Sequence, residues 1–264
     1  MAIHHARKRF GQHFLHDEPV IQRLLMAIAP QPGQHLVEIG PGRGVLTEPL
    51  LAAVGELDAV ELDRDLVADL QTRLAGSGLH LHAADALAFD FAALRTDDRL
   101  LRIVGNLPYN ISTPLLFHLL TQADVIADMH FMLQKEVVQR MAAEPGGRDY
   151  GRLSVMVQTV CQVESLFTVG AHAFHPAPKV DSAVVRLVPY AQPPVAIDDQ
   201  AQFTHLVAQA FSQRRKTLRN SLRGGLDASA IQAAGIDPSA RPEVLSPQDF
   251  ATLSNYVSRR PANL

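Results

Sequence analysis

A chain of 264 residues that is 47% hydrophobic and 19% charged has enough apolar material for one good core and a small second domain. Its apolar runs are too short to span a bilayer, and the N-terminal "MAIHHARKRFGQHFL" lacks the apolar centre of a signal peptide. The single cysteine, Cys161, excludes an internal disulfide and any CxxC zinc or redox site, so the chain reads as a protein of the reducing cytoplasm with Cys161 a small buried hydrophobe.

The net charge of −3 is uneven: residues 200–264 hold eight Lys and Arg against four Asp and Glu, a local +4, which leaves −7 on the rest. The first basic run is Arg7, Lys8 and Arg9, with no acid before Asp17. Asp17 then precedes "EPVIQRLLMAIA", where Val20, Ile21, Leu24, Leu25 and Ile28 carry the spacing of an amphipathic helix. Short apolar runs follow at "HLVEIG" (35–40), "LDAVELD" (57–63), "LHLHAAD" (79–85), "LRIVGN" (101–106) and "MHFMLQK" (129–135). Segments of crossover length separate them, which predicts an α/β fold with a parallel sheet covered on both faces. From Ser154, "SVMVQTVCQVESLFTV" and "SAVVRLVPY" predict two antiparallel strands that finish the sheet. Pro189, Pro193 and Pro194 mark a linker, and the remainder has helical spacing broken at Gly224, Gly225, Pro238 and Pro242. Within it, "RRKTLRNSLR" as one helix would line up Arg215, Arg219 and Arg223, with Lys216 beside them and Leu218 and Leu222 on the other side. Two basic runs free of acids suggest a polyanion partner; a solvated helix face is the competing reading.

In open parallel sheets ligands bind outside the carboxyl ends of the strands. Here the first strand ends in Glu38-Ile39-Gly40-Pro41-Gly42-Arg43-Gly44, the second in Glu61 and Asp63, the third in Asp85 and the fourth in Asn106. The glycine turn admits close backbone approach, and the helix behind it offers unpaired N–H groups to an anion. Its G-x-G-x-G spacing is not the dinucleotide fingerprint, which needs glycine at Val45, and an ordinary strand-to-helix turn explains it equally well. Glu61 is placed to accept from ribose hydroxyls and Asp85 from an adenine amino group. With Glu38, Gly40 and Gly42 at the turn, this describes an adenosine-containing ligand without a diphosphate, a description that S-adenosylmethionine fits.

The stretch "IVGNLPYN" (103–110) ends the fourth strand at an amide, a proline and an aromatic ring. Pro108 holds Leu107 extended, giving a stiff corner. The Asn106 side-chain oxygen and the Leu107 carbonyl could accept both hydrogens of a nucleobase amino group as it is methylated, with Tyr109 stacked on the base. The twelve histidines form no metal-ligand pattern, so no metal is expected.

Six motifs, "KRFGQHFL", "EIGPGRGVLTEPL", "VGNLPYNIS", "GRDYGRLSV", "FHPAPKVDSAVVRL" and "AFSQRRKTLRNSL", occur in order from Lys8 to Leu222. Together they resemble the ribosomal RNA adenine N6-dimethyltransferases, and most closely the bacterial small-subunit branch of that family. The resemblance implies a Rossmann-like class I methyltransferase domain over residues 1–190 and a small helical RNA-contacting domain over 195–264. It implies a donor site of His13, Leu15, Gly40, Glu61, Asp85 and Asn106, a catalytic Asn106-Leu107-Pro108-Tyr109, and Phe174 packed on the target base. His13 stands where many relatives carry asparagine. The implied substrate is two adjacent adenosines in a hairpin loop near the 3′ end of 16S rRNA, presented by an immature small subunit to a monomeric enzyme. Arg7, Lys8, Arg9, Arg215, Arg219 and Arg223 would hold the RNA. A 23S rRNA enzyme, a DNA adenine methylase and a non-catalytic assembly factor are the alternatives.

Overall fold

A computed structural model of the chain describes residues 11–213 and 215–259, so Arg7, Lys8 and Arg9 lie outside the described residues. The short strand β1 (Phe14–Leu15) leads to helix α1 (Glu18–Ile28), whose cap is Asp17 accepting from the Val20 amide at 3.0 Å. Ile21, Leu24 and Ile28 are its buried stripe. Strands and helices then alternate: β2 (His35–Ile39), α2 (Thr47–Val54), β3 (Leu57–Glu61), α3 (Arg64–Arg73), β4 (Leu79–Ala83), β5 (Leu101–Asn106), α4 (Ser112–Leu120), β6 (Ile126–Gln134) and α5 (Lys135–Ala142). Next come α6 (Arg152–Gln158), β7 (Cys161–Val169), β8 (Phe174–His175) and β9 (Ser182–Pro189), and after the proline-rich connection α7 (Gln200–Ala210), α8 (Leu218–Ser221), α9 (Ala228–Ala233) and α10 (Pro247–Arg259).

The main sheet has the order β4-β3-β2-β5-β6-β9-β7. Neighbours from β4 to β6 are parallel, and β9 runs antiparallel to β6 with Met132 opposite Val184. The chain steps outward from β2 to β4 and then returns to β5, so the order reverses between β2 and β5. That is the switch point at which such sheets open a crevice. Gly105 lets the two strands close there: a Cβ at this position would lie 2.5 Å from the Ile39 carbonyl oxygen. Separately, β1 and β8 form a two-stranded ribbon pairing Phe14 with His175 and Leu15 with Phe174.

The described residues gather into two compact units, one running through Val138 and including Val163–Pro189, the other made of Gln139–Gln162 and the residues from Tyr190 on. The first holds the sheet and a core in which Leu15, Ile28, Leu36, Leu50, Val104 and Phe174 are buried. In the second, α6, α7 and α10 pack together, and Leu153, Phe203, Leu206 and Phe250 on them are buried. The Tyr150 hydroxyl donates to the Leu245 carbonyl at 2.8 Å, and its burial raises the phenol above its ordinary pKa.

Two segments depart from the expectations. Arg152–Gln158 is a helix, and only Cys161–Val169 of the first β-rich run is a strand. Leu153, Val155, Met156 and Val157 are all buried, so this helix shows no polar face, and a continuous apolar run of that length does not separate a buried helix from a strand. Ser154 fixes its start by accepting from the Gly151 amide at 3.0 Å and donating to the Arg140 carbonyl. Likewise "RRKTLRNSLR" is not one helix. The Leu218 and Arg219 amides donate to Ala240 and Pro238 rather than to a preceding turn, so α8 begins afresh at Leu218 and Arg215 stays outside it. The three arginines therefore do not form one row. Leu218 and Leu222 are nevertheless buried, while Arg219 and Arg223 are exposed beside Gly224 and Gly225.

Candidate active site

At the switch point the ends of β2, β3, β4 and β5 border a cavity of about 340 Å³. His13, Gly40, Gly42, Glu61, Asp85 and Asn106 all line it, as do Leu107, Pro108 and Tyr109. Residues from five separate stretches of sequence are thereby brought to one place.

Glu61, at the end of β3, is 8% exposed. Each carboxylate oxygen already accepts one main-chain N–H, Oε2 from Gly42 at 3.2 Å and Oε1 from Asp63 at 2.9 Å. These bonds fix the side chain and leave further lone pairs for hydroxyl donors. Burial nonetheless raises its pKa, with the amides of Asp63 and Gly42 opposing that rise. Gly42 itself has φ +57, and a Cβ there would meet the Phe14 ring at 3.3 Å. Asp85, two residues beyond β4, accepts from the Leu87 amide at 2.9 Å, which orients its carboxylate at the cavity rim.

Asn106 ends β5 with its Nδ2 donating to the His13 carbonyl at 3.0 Å. A carbonyl can only accept, so the bond decides which end of the amide is which. The oxygen is left as the outward acceptor. The His13 ring stacks on Tyr109 at 5.5 Å between centroids, and its Nδ1 bonds the Pro176 carbonyl at 2.6 Å. The Tyr109 hydroxyl pairs with Ser182 Oγ at 2.7 Å, while burial raises the phenol pKa.

Leu15 and Glu38 do not line the large cavity. They border a smaller space that shares Phe14, Gly40, Gly42 and Asn106 with it. Phe174 is 3% exposed on β8, pairs with Leu15 of β1, shares a core cluster with it, and is not among the residues lining the cavity. Arg215, Arg219 and Arg223 belong to the second unit. The sequence reading missed Phe14, Leu62 and Ser182. Leu62 is detectable in hindsight, as an apolar residue 49% exposed between two acids at a strand end.

A family model described as ribosomal RNA adenine dimethylase matches residues 3–259. The chain belongs to the ribosomal RNA adenine dimethylase family. It is 59% identical over 254 residues to the ribosomal RNA small subunit methyltransferase A of Nitrosococcus oceani, covering 96% of each chain. It is 57% identical to the protein of the same name from Pseudomonas aeruginosa, covering 98% of this chain and 97% of that one. Among solved structures it resembles the 23S rRNA methyltransferase ErmE, with a TM-score of 0.70 at 25% identity over 93% of this chain and 100% of that one. It also shares the fold of a dimethyladenosine transferase from Plasmodium falciparum, with a TM-score of 0.79 at 24% identity over 91% and 96%. As an rRNA adenine dimethylase this chain is an S-adenosylmethionine-dependent methyltransferase with an α/β class I fold; the strand pattern implied the α/β sheet and the resemblance the class I methyltransferase. Among the described residues no group of three or more His, Cys, Asp or Glu is placed to hold a metal, and no helix is long and apolar enough to cross a membrane.

Proposed function

We propose that this rRNA adenine dimethylase methylates N6 of two adjacent adenosines in a hairpin loop near the 3′ end of 16S rRNA, twice on each base, during small-subunit assembly. Its relatives' names support the small subunit as substrate over 23S rRNA. The immature subunit as partner, a monomeric state and a cytoplasmic site of action belong to the same reading. Residues 1–190 would carry the chemistry and 195–264 would hold RNA.

The observation that carries the mechanism is the Asn106 amide held by the His13 carbonyl at 3.0 Å. S-adenosylmethionine supplies, when bound, an electrophilic methyl on a positively charged sulfonium. The cavity's residues fit it: Glu61, fixed by two main-chain amides, would accept from the ribose hydroxyls and Asp85 from the adenine amino group, while the turn at Gly40 and Gly42 would take the amino-acid end. A nucleobase amino group is a weak nucleophile because its lone pair is delocalised. Asn106 Oδ1 and the Leu107 carbonyl would accept its two hydrogens and favour the pyramidal nitrogen of the transition state. Because both acceptors are fixed beforehand, they need no reorganisation during reaction. Tyr109 would stack on the base, which for a well-stacked base contributes about 1–3 kcal/mol. The nitrogen's proton becomes acidic once the methyl has arrived, so no side-chain base is required.

Incubating the protein and methyl donor with unmethylated small subunits, followed by primer extension, tests this. Stops at two adjacent adenines near the 16S 3′ end are expected. Stops only on 23S rRNA, or none with folded protein, would overturn the reading.

A further inference from the structure

Glu38 lies one residue before the end of β2, 2% exposed, and its Oε2 has no hydrogen-bond partner. A buried carboxyl with one oxygen left unpaired is costly to keep charged, and such a group calls for an explanation. It borders the small space that shares Gly40, Gly42, Phe14 and Asn106 with the donor cavity. Its charged neighbours are few. Glu61 faces it from β3 and adds repulsion, Arg43 borders the same space with its guanidinium over the Phe14 ring at 4.6 Å, and Thr47 on α2 brings a hydroxyl that also lacks a formed bond.

We propose that Glu38 is a proton-linked charge sensor for the methyl donor: it gives up its proton to solvent when the cationic donor binds and takes one back once the sulfonium has become a thioether. This rests on reading the cavity as the donor site. A buried carboxylate with one oxygen unpaired is stabilised by an incoming positive charge, and in this corner the Thr47 hydroxyl is the side chain that already works in the same direction. Donor and product share the α-ammonium of their amino-acid end, so the sulfonium, absent from the neutral sulfide, is the positive charge that distinguishes them. Glu38 therefore favours the donor over its own product, and reprotonation accompanies product release. Burial, with a smaller contribution from Glu61, lifts the free carboxyl to about 7, so both of its forms are present near neutrality.

Calorimetric titration in buffers of different ionisation enthalpy counts the protons. At pH 7, S-adenosylmethionine is expected to release about half a proton more from the wild type than from Glu38→Gln, and S-adenosylhomocysteine to show a smaller difference. Thr47→Val keeps Glu38 but removes the hydroxyl that opposes its raised pKa, so the pH of maximal release should move upward. Equal proton counts in wild type and Glu38→Gln, or equal differences for donor and product, would overturn the inference while leaving the donor site standing. Should Glu38→Gln fail to fold, an unmoved release profile in Thr47→Val overturns it instead. If the folded wild type binds neither ligand, the donor-site reading falls and the inference with it.

Discussion

A 3.0 Å hydrogen bond joins the side-chain amide of Asn106 to the main-chain carbonyl of His13 across 93 positions of sequence. The N-terminal segment thereby sets the orientation of the amide proposed to meet the substrate. Asn106→Asp tests the arrangement with almost no change in volume. Its carboxylate would place oxygen against the His13 carbonyl, and the two would repel. A loss of about 10²-fold in single-turnover methylation is expected, with RNA affinity nearly unchanged. A wild-type rate with saturating donor and RNA would remove Asn106 from the chemistry.

Glu61→Ala removes the bond that ties the glycine turn at Gly42, the bond from the Asp63 amide, and the proposed ribose acceptor. Charge-assisted hydrogen bonds of this kind contribute about 1.5–3 kcal/mol, so donor affinity should fall roughly 10- to 100-fold by calorimetric titration. Unchanged affinity in a folded variant would take Glu61 out of the donor site.

Glu38 makes folding depend on pH. Its carboxyl is lifted from 4.5 to about 7 by burial, so between those values the folded chain binds more protons than the unfolded one. The stability it contributes is complete below pH 4.5 and is lost as pH rises through 7, about 3 kcal/mol at most. Glu38→Gln should therefore be more stable than wild type at pH 8 in urea unfolding, with the gap closing toward pH 5.

His130 acts in the opposite sense. Buried on β6 near Asp128, Arg102 and Arg186, it is lowered from 6.5 to about 4, chiefly by desolvation. Between those values the unfolded chain binds more protons, so stability falls as pH drops from 6.5 to 4, again by about 3 kcal/mol. His130→Gln should flatten this acid limb. A limb unchanged in the variant would place the loss elsewhere.

Arg219 and Arg223 remain neighbours on the surface even though the longer helix is broken, and Arg215 lies in the turn before them. Each phosphate contact with single-stranded RNA adds about 0.7 to the slope of log affinity against log salt, so replacing Arg219 and Arg223 by Gln should flatten it by roughly 1.4. Donor affinity should not change. A wild-type slope would make this a solvated surface and shift attention to Arg7, Lys8 and Arg9.

The alternation of short apolar runs with helical segments made the parallel sheet legible, because strands buried on both faces read as continuous runs. The polar residues at their ends, Glu61, Asp85 and Asn106, stood out as exceptions to that pattern. Less was visible where three-dimensional packing decided the outcome. Arg152–Gln158 is helical although its apolar run also suits a strand, and α8 starts at Leu218 because main-chain donors found acceptors some 20 residues away. The isolation of Glu38 was equally hidden. Sequence places an acid at the strand end but does not disclose that its oxygen lacks a partner.

Asn106 is the last residue of a strand whose second residue, Arg102, grips Asp128 of the next strand with two hydrogen bonds of 2.9 and 3.0 Å. The pairing of β5 with β6 is irregular between Leu101 and Arg102, immediately beside that grip. A strand that slipped by one residue would turn every side chain to the opposite face. Arg102 thus works as a register clamp. It is not among the residues lining the cavity, yet it holds the register that carries the Asn106 amide to the cavity side of the sheet, so the placement of a side chain at one end of the strand is guarded by an ion pair at the other.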